Sequence, residues 1–288
     1  MKIGFLGTGL MGQPMVLRLL EANHNVTVYN RTESKLQALI EAGAQAVDSP
    51  AQVIESADCV ILMLSDAAAI AATLLSDTAT THLSNRTVIQ MGTIAPSQSQ
   101  SIRDTVVDAG GEYLEAPVLG SIPQVKTGEL LVMVGSTEAQ FDRYKELLKC
   151  YSPEPMYVGE VGTAAAMKLA LNQLIAGLTS TFALSLSFVQ QQGVNIEQFM
   201  DVVRQSALYA PTFDKKLDRM CDRNFDNPNF PTKHLLKDTD LFLTQAAELG
   251  LNTKGLEGIK EIIETAIAIG LADKDYSAIY SAIDRRQD

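Results

Sequence analysis

A lone lysine in an uncharged stretch is where chemistry first shows in this sequence. Lys168 is the single charged residue between Glu160 and Glu197, in a proline-free run rich in Ala, Leu, Ile, Phe, Ser and Thr. Asn172 follows four residues on, and on a helix that spacing puts the ammonium and the amide on one face. Pointing into a shared space, they can both donate to an oxygen of a small polar ligand. The backbone dipole disfavours a cation near a helix N-terminus by about 0.3–1 kcal/mol, so the lysine needs a reason to be there. The plain alternative is a lysine snorkelling to water along its packed stem. These residues alone leave both readings open.

The element that must carry this pair is a helix over residues 164–192, with Gly162 before it and Gly193 after it as plausible ends. Apolar residues such as Met167, Leu174, Leu178, Phe182, Leu184 and Phe188 fall on nearly every face, which predicts a helix buried all round. At 1.5 Å per residue it runs roughly 40 Å, enough to cross a domain boundary. Asn172, Gln173, Thr179, Ser180 and the glutamines at 190–192 argue against a membrane span, and no second such segment accompanies it.

With 288 residues the chain exceeds one typical core, so two domains are expected. Hydrophobic content of 46% and charged content of 20% describe an ordinary globular protein. The net charge of −11, with no Lys/Arg block, argues against a nucleic-acid partner. Cys59, Cys150 and Cys221 lie far apart without a CxxC pair, and residues 3–6 are too short for a signal-peptide core, so a cytoplasmic protein with reduced thiols is expected. His24, His82 and His234 form no metal-ligand spacing, and no metal is expected.

The N-terminus reads as a dinucleotide site. A strand over residues 2–6 leads into Gly7-Thr8-Gly9-Leu10-Met11-Gly12 and then a helical pattern. That order brings backbone N–H groups and a helix N-terminus up to a pyrophosphate. Gly7 allows the tight turn, Gly9 the approach of the phosphates, and Gly12 close packing of helix on strand. The next strand, 25–29, ends at Asn30-Arg31-Thr32, where a site for NAD usually carries an acid for the ribose 2′-hydroxyl. Amide, guanidinium and hydroxyl are instead donors to a 2′-phosphate, so the reading is NADP(H). A solvated loop arginine beside an NAD site is the competing view.

Alternation continues with a helix over 34–42, a strand over 44–47, a helix over 50–56 and the apolar run 59–64. Leu64 and Ser65 then stand at a strand's carboxyl end, where open α/β sheets bind ligands. The strand 87–91 leads into Gly92-Thr93-Ile94-Ala95-Pro96, which puts Thr93 at the same edge, and a helix over 97–109 follows. Strands at 113–118, 130–135 and 156–158 and a helix at 137–150 complete the alternation. Between two of them lies Glu115-Ala116-Pro117-Val118-Leu119-Gly120-Ser121, either a sheet-edge turn or a loop presenting N–H groups to a carboxylate. Beyond Gly193 the pattern is helical throughout, at 196–206, 212–223, 235–249, 256–269 and 276–285. The fold class is therefore α/β: a Rossmann-type doubly wound parallel sheet over 1–162, then an all-helical domain over 163–288, joined by the long helix. On residue type alone, Lys237-Asp238 is a solvated helix face.

These segments together resemble the β-hydroxyacid dehydrogenase family over essentially the whole chain. Gly7-Thr8-Gly9-Leu10-Met11-Gly12-Gln13-Pro14-Met15 resembles its dinucleotide loop, and Gly92-Thr93-Ile94-Ala95-Pro96 its Ser-Thr-x-x-Pro loop, with Gly92 in place of serine. The segment from Gly162 through Lys168 to Asn172 matches Gly-x5-Lys-x3-Asn, which makes Lys168 the catalytic lysine and Asn172 a substrate-binding residue. The resemblance also makes Lys237 a cofactor contact. Phe230-Pro231-x-Lys233-His234-x-x-Lys237-Asp238 is similar to the glyoxylate/succinic semialdehyde reductase branch, and Leu119 departs from the family's Ala-Pro-Val-Ser-Gly.

The resemblance implies NADPH-dependent reduction of a small carboxylated aldehyde to a hydroxyacid. Lys168 would stabilise the growing alkoxide and pass it a proton, Gly120 and Ser121 would hold the carboxylate, and Phe230 would wall the pocket. A lysine's reference pKa of about 10.4 suits that acid role without a shift. The alternatives are an NAD(P)-linked 3-hydroxyisobutyrate-type dehydrogenase working oxidatively, an imine reductase, and a non-catalytic NADPH-binding protein. The abundance of apolar helical surface predicts a homodimer or homotetramer.

Overall fold

Short apolar runs separated by helices become nine strands of one twisted sheet in the computed structural model, which describes residues 1–284. They are β1 (Lys2–Leu6), β2 (Asn25–Tyr29), β3 (Gln45–Ala46), β4 (Cys59–Leu62), β5 (Thr87–Gln90), β6 (Glu112–Glu115), β7 (Val118–Leu119), β8 (Leu131–Gly135) and β9 (Met156–Gly159). The order β3-β2-β1-β4-β5-β6 is parallel throughout, with β8 antiparallel to β6 and β7 and parallel to β9. Strands β4 and β5 are buried along their whole length, as strands in the centre of a parallel sheet should be, and β4 is a continuous apolar run. Successive side chains then supply opposite faces: Ile3, Phe5, Cys59 and Ile61 join one core cluster, and Leu6, Val60 and Leu62 the other.

Contacts divide the chain into two compact units, Met1–Lys168 and the residues from Leu169 on. The second is helical, with helices Ile196–Arg204, Pro211–Cys221, Thr232–Glu248, Lys254–Ala266 and Ile279–Ile283. Phe182 stacks on Phe213 at 4.5 Å between ring centroids, and Lys216 holds both carboxylate oxygens of the fully buried Asp275 at 2.8 and 2.9 Å.

The long helix spans Thr163–Gln191, within one residue of the expected ends. It is not buried all round. Ala176, Phe182, Ala183 and Leu186 enter the cores of the second unit, while Leu174, Leu184 and Phe188 are 53%, 62% and 63% exposed. The other helices cover only part of its circumference, and apolar composition alone cannot tell a covered flank from an open one. It is also the one helix among the described residues long and apolar enough to cross a membrane by length and composition.

Other local expectations change. Residues 34–42 form a 3-10 turn, Glu33–Lys35, and a short helix, Gln37–Glu41, instead of one helix. The strand expected over 113–118 breaks at Ala116-Pro117, because proline has no N–H for the ladder, and resumes as β7. Helices Ala67–Leu74 and Ile122–Thr127 were not expected. The last helix begins as a 3-10 turn at Tyr276–Ala278, and the expected end at Arg285 lies outside the described residues.

Candidate active site

Register brings the expected dinucleotide residues to one edge of the sheet. Leu6 pairs with Tyr29 and with Leu62, and Leu62 with Gln90, so the residues following β1, β2, β4 and β5 all emerge at the carboxyl ends. Gly7 takes a φ of +105°, and a Cβ there would lie 2.4 Å from the Met63 carbonyl oxygen. Gly12 starts the helix Gly12–Glu21, where a Cβ would lie 1.9 Å from the Gly7 carbonyl oxygen. A Cβ on Gly9 meets nothing within 4 Å. Two glycines thus close the turn and the third leaves it open. Inside this turn the Thr8 hydroxyl is buried with no hydrogen-bond partner among the described residues, while Leu10 is exposed and Met11 half-buried. An orphaned hydroxyl, an open glycine and a helix N-terminus without acidic residues in its first turn together fit the phosphates of a dinucleotide.

Asn30 donates to the Thr32 carbonyl at 3.0 Å, and this leaves Arg31 exposed at the tip of the loop. Beyond β4, Leu64 is half-buried, and the Ser65 hydroxyl donates to Asp66 at 2.8 Å. Asp66 in turn caps the helix Ala67–Leu74 by accepting the Ala69 N–H at 2.8 Å.

Beyond β5, the loop to Thr93 is shaped by a residue the sequence reading passed over. The buried Gln90 amide donates to the Gly92 carbonyl at 2.9 Å and accepts the Gly92 N–H at 3.1 Å. A Cβ on Gly92 would lie 2.4 Å from the Leu64 carbonyl oxygen, which gives a steric reason for glycine in place of serine. The signal was a lone amide in an apolar strand.

A second missed residue, Glu115, ends β6. Its Oε1 accepts the N–H groups of Gly162, Ala164 and Ala165 at 2.8, 2.9 and 3.1 Å. Its Oε2 accepts from the Ser99 hydroxyl, which lies 2.8 Å from the Tyr113 hydroxyl. An oxygen receiving three N–H donors carries no proton of its own. Burial pushes this carboxyl above its ordinary pKa, while the hydrogen bonds from Ser99 and the three amides draw it back. Glu115 thereby grips the first turn of the helix that presents the half-buried Lys168. A polar acid ending an otherwise buried strand was the available signal.

From Glu115 the chain runs directly into the expected substrate loop, whose Ala116 N–H donates to the Gln90 carbonyl at 2.7 Å. Gly120 is exposed with φ of +134°. The Ser121 N–H and hydroxyl both donate to the Gln124 side-chain oxygen, at 3.0 and 2.8 Å. In this arrangement both Ser121 donors are spent on Gln124, and holding a carboxylate requires them to leave it.

The remaining expected residues belong to the second unit. Asn172 is buried and donates to Asp238 at 2.6 Å. Asp238 is 3% exposed, so Lys237-Asp238 is not the solvated face that its residue types suggest. The Lys237 ammonium forms an ion pair with Asp238 Oδ1 at 2.9 Å. Phe230 is half-buried with its ring edge-on to Tyr276, centroids 5.7 Å apart.

Two family models match the chain. That for the NAD binding domain of 6-phosphogluconate dehydrogenase covers residues 2–159, and that for the NAD-binding region of NADP-dependent 3-hydroxyisobutyrate dehydrogenase covers residues 162–283. Over 285 residues the sequence is 30% identical to glyoxylate/succinic semialdehyde reductase 1 of Arabidopsis thaliana, covering 98% of each chain. Over 284 residues it is 32% identical to the same plant's glyoxylate/succinic semialdehyde reductase 2, chloroplastic, covering 98% of this chain and 79% of that one. Among solved structures, Mycobacterium tuberculosis 3-hydroxyisobutyrate dehydrogenase with L-serine shares the fold, with a TM-score of 0.85 at 22% identity and 98% of each chain covered.

Proposed function

Because the chain belongs to the β-hydroxyacid dehydrogenase family of NAD(P)-dependent oxidoreductases, we propose that it reduces small carboxylated aldehydes such as glyoxylate and succinic semialdehyde with NADPH. The observation that carries this reading is the near full-length likeness, at 30% and 32% identity, to two proteins named for that reaction. Arg31, exposed at the end of β2 with an amide beside it where an acid would select NADH, supports the phosphorylated cofactor.

A bound nicotinamide supplies the hydride. The glycine turn from Gly7 to Gly12 and the buried Thr8 hydroxyl hold the dinucleotide, with Leu64, Ser65 and Thr93 at the same sheet edge. The Lys168 ammonium hydrogen-bonds the aldehyde oxygen, stabilises the charge that develops there and transfers its proton to yield the alcohol. The backbone N–H of Gly120, joined by Ser121 once its donors leave Gln124, receives the substrate carboxylate. Asn172 and Phe230 act on the substrate and Lys237 on the cofactor, as the family pattern assigns them. The exposed apolar flank with Leu174, Leu184 and Phe188 supports assembly into a homodimer or homotetramer.

The test is a panel of short aldehydes and 2-oxo acids, each assayed with NADPH and NADH. The reading expects glyoxylate and succinic semialdehyde to be turned over best, and faster with NADPH. Turnover of neither, or a preference for NADH, overturns it.

A further inference from the structure

Glu115 performs no chemistry in the reaction above, yet it is the group in the first unit that ties two parts of the proposed site together. It ends β6, and Ala116-Pro117 and the two-residue β7 connect it to Gly120 and Ser121. Its Oε1 also gathers three backbone N–H groups at the start of the helix Thr163–Gln191. Lys168 follows Ala164 by four residues, one helical turn and roughly 6 Å along the axis, on the same face. The first unit is shaped around this contact. A Cβ on Gly135 would lie 2.4 Å from Glu115 Oε1, and Gly162 enters the helix with φ of +108°.

We propose that Glu115 is a positioning residue for Lys168, its carboxylate fixing the lysine's helix against the substrate loop and countering the positive end of the helix dipole beside the ammonium. The inference rests on the reading of Lys168 as the acid. Three amide donors on one oxygen leave the helix little freedom to slide along its axis or to rotate. A displacement of about 1 Å at a reacting group can cost up to about a hundredfold in rate. The carboxylate also supplies negative charge where the helix N-terminus disfavours a cation. The glycine turn lies on other elements, so loss of this contact is expected to leave dinucleotide binding intact.

The experiment compares full-length Glu115→Ala, Glu115→Gln and Lys168→Ala with the parent protein. Turnover with glyoxylate is normalised to NADPH sites counted by fluorescence titration, so that unfolded protein is not counted. Glu115→Ala is expected to lower kcat per site about tenfold, with the NADPH Kd unchanged within twofold. Glu115→Gln, which keeps an acceptor oxygen at the same reach, should lie between the two. If Glu115→Ala does not fold, a fall of threefold or more in Glu115→Gln supports the inference. A fall below threefold in Glu115→Ala where it folds, or in Glu115→Gln where it does not, or a loss of NADPH affinity matching the loss of turnover, overturns it. The underlying reading fails separately: if Lys168→Ala leaves turnover unchanged, the lysine is not the acid, whatever Glu115 does.

Discussion

Glu115 accepts the backbone N–H of Ala164 at 2.9 Å, a contact between residues 49 apart in sequence that closes the strand β6 onto the start of the lysine-bearing helix. The same oxygen takes the Gly162 and Ala165 amides, and the other takes the Ser99 hydroxyl. Removing the side chain strands three buried donors, each costing about 1–3 kcal/mol. Glu115→Ala should therefore lose at least about 3 kcal/mol in urea denaturation.

The pH dependence of that contact has a definite sign. Burial raises the folded pKa of Glu115 above its unfolded value of about 4.3, so the native state holds this proton more tightly. The contribution is fully present below the unfolded pKa and is lost as pH rises through the folded one. Comparing the parent with Glu115→Gln across acidic to neutral pH should show the stability difference moving in favour of the glutamine variant as pH rises. A difference that moves the other way would show the charged form to be the one that folding prefers.

The glycine turn gives two opposed outcomes. A Cβ on Gly9 meets nothing within 4 Å, so Gly9→Ala should keep its melting temperature and lose affinity for the dinucleotide. A Cβ on Gly12 collides with the Gly7 carbonyl oxygen at 1.9 Å, so Gly12→Ala should lose both. Thermal melts with and without NADPH separate the two.

What was legible in the sequence was local. The glycine turn, the apolar strands and the long helix each carry their own periodicity, and the helix ends fell within one residue of Thr163 and Gln191. What was not legible depended on distant partners. No pattern near Glu115 or Gln90 names Gly162 or Gly92 as its target, and residue type alone made Asp238 a surface acid although Asn172 covers it. The open flank at Leu174, Leu184 and Phe188 escaped for the same reason, since apolar composition does not say which neighbours are present.

Arg31 tests cofactor choice. It stands exposed after β2 with no partner among the described residues, so replacing it removes little from the fold. Arg31→Ala should weaken NADPH by about tenfold or more, the scale of one lost charge-assisted contact, and leave NADH nearly unchanged. Equal weakening of the two, measured by titration, would remove the 2′-phosphate from its role.

The most direct measurement of the central claim is the rate of glyoxylate reduction by Lys168→Ala under saturating NADPH. Loss of a general acid should lower kcat by about a hundredfold or more, with the NADPH Kd within twofold of the parent. Turnover equal to the parent would contradict the account.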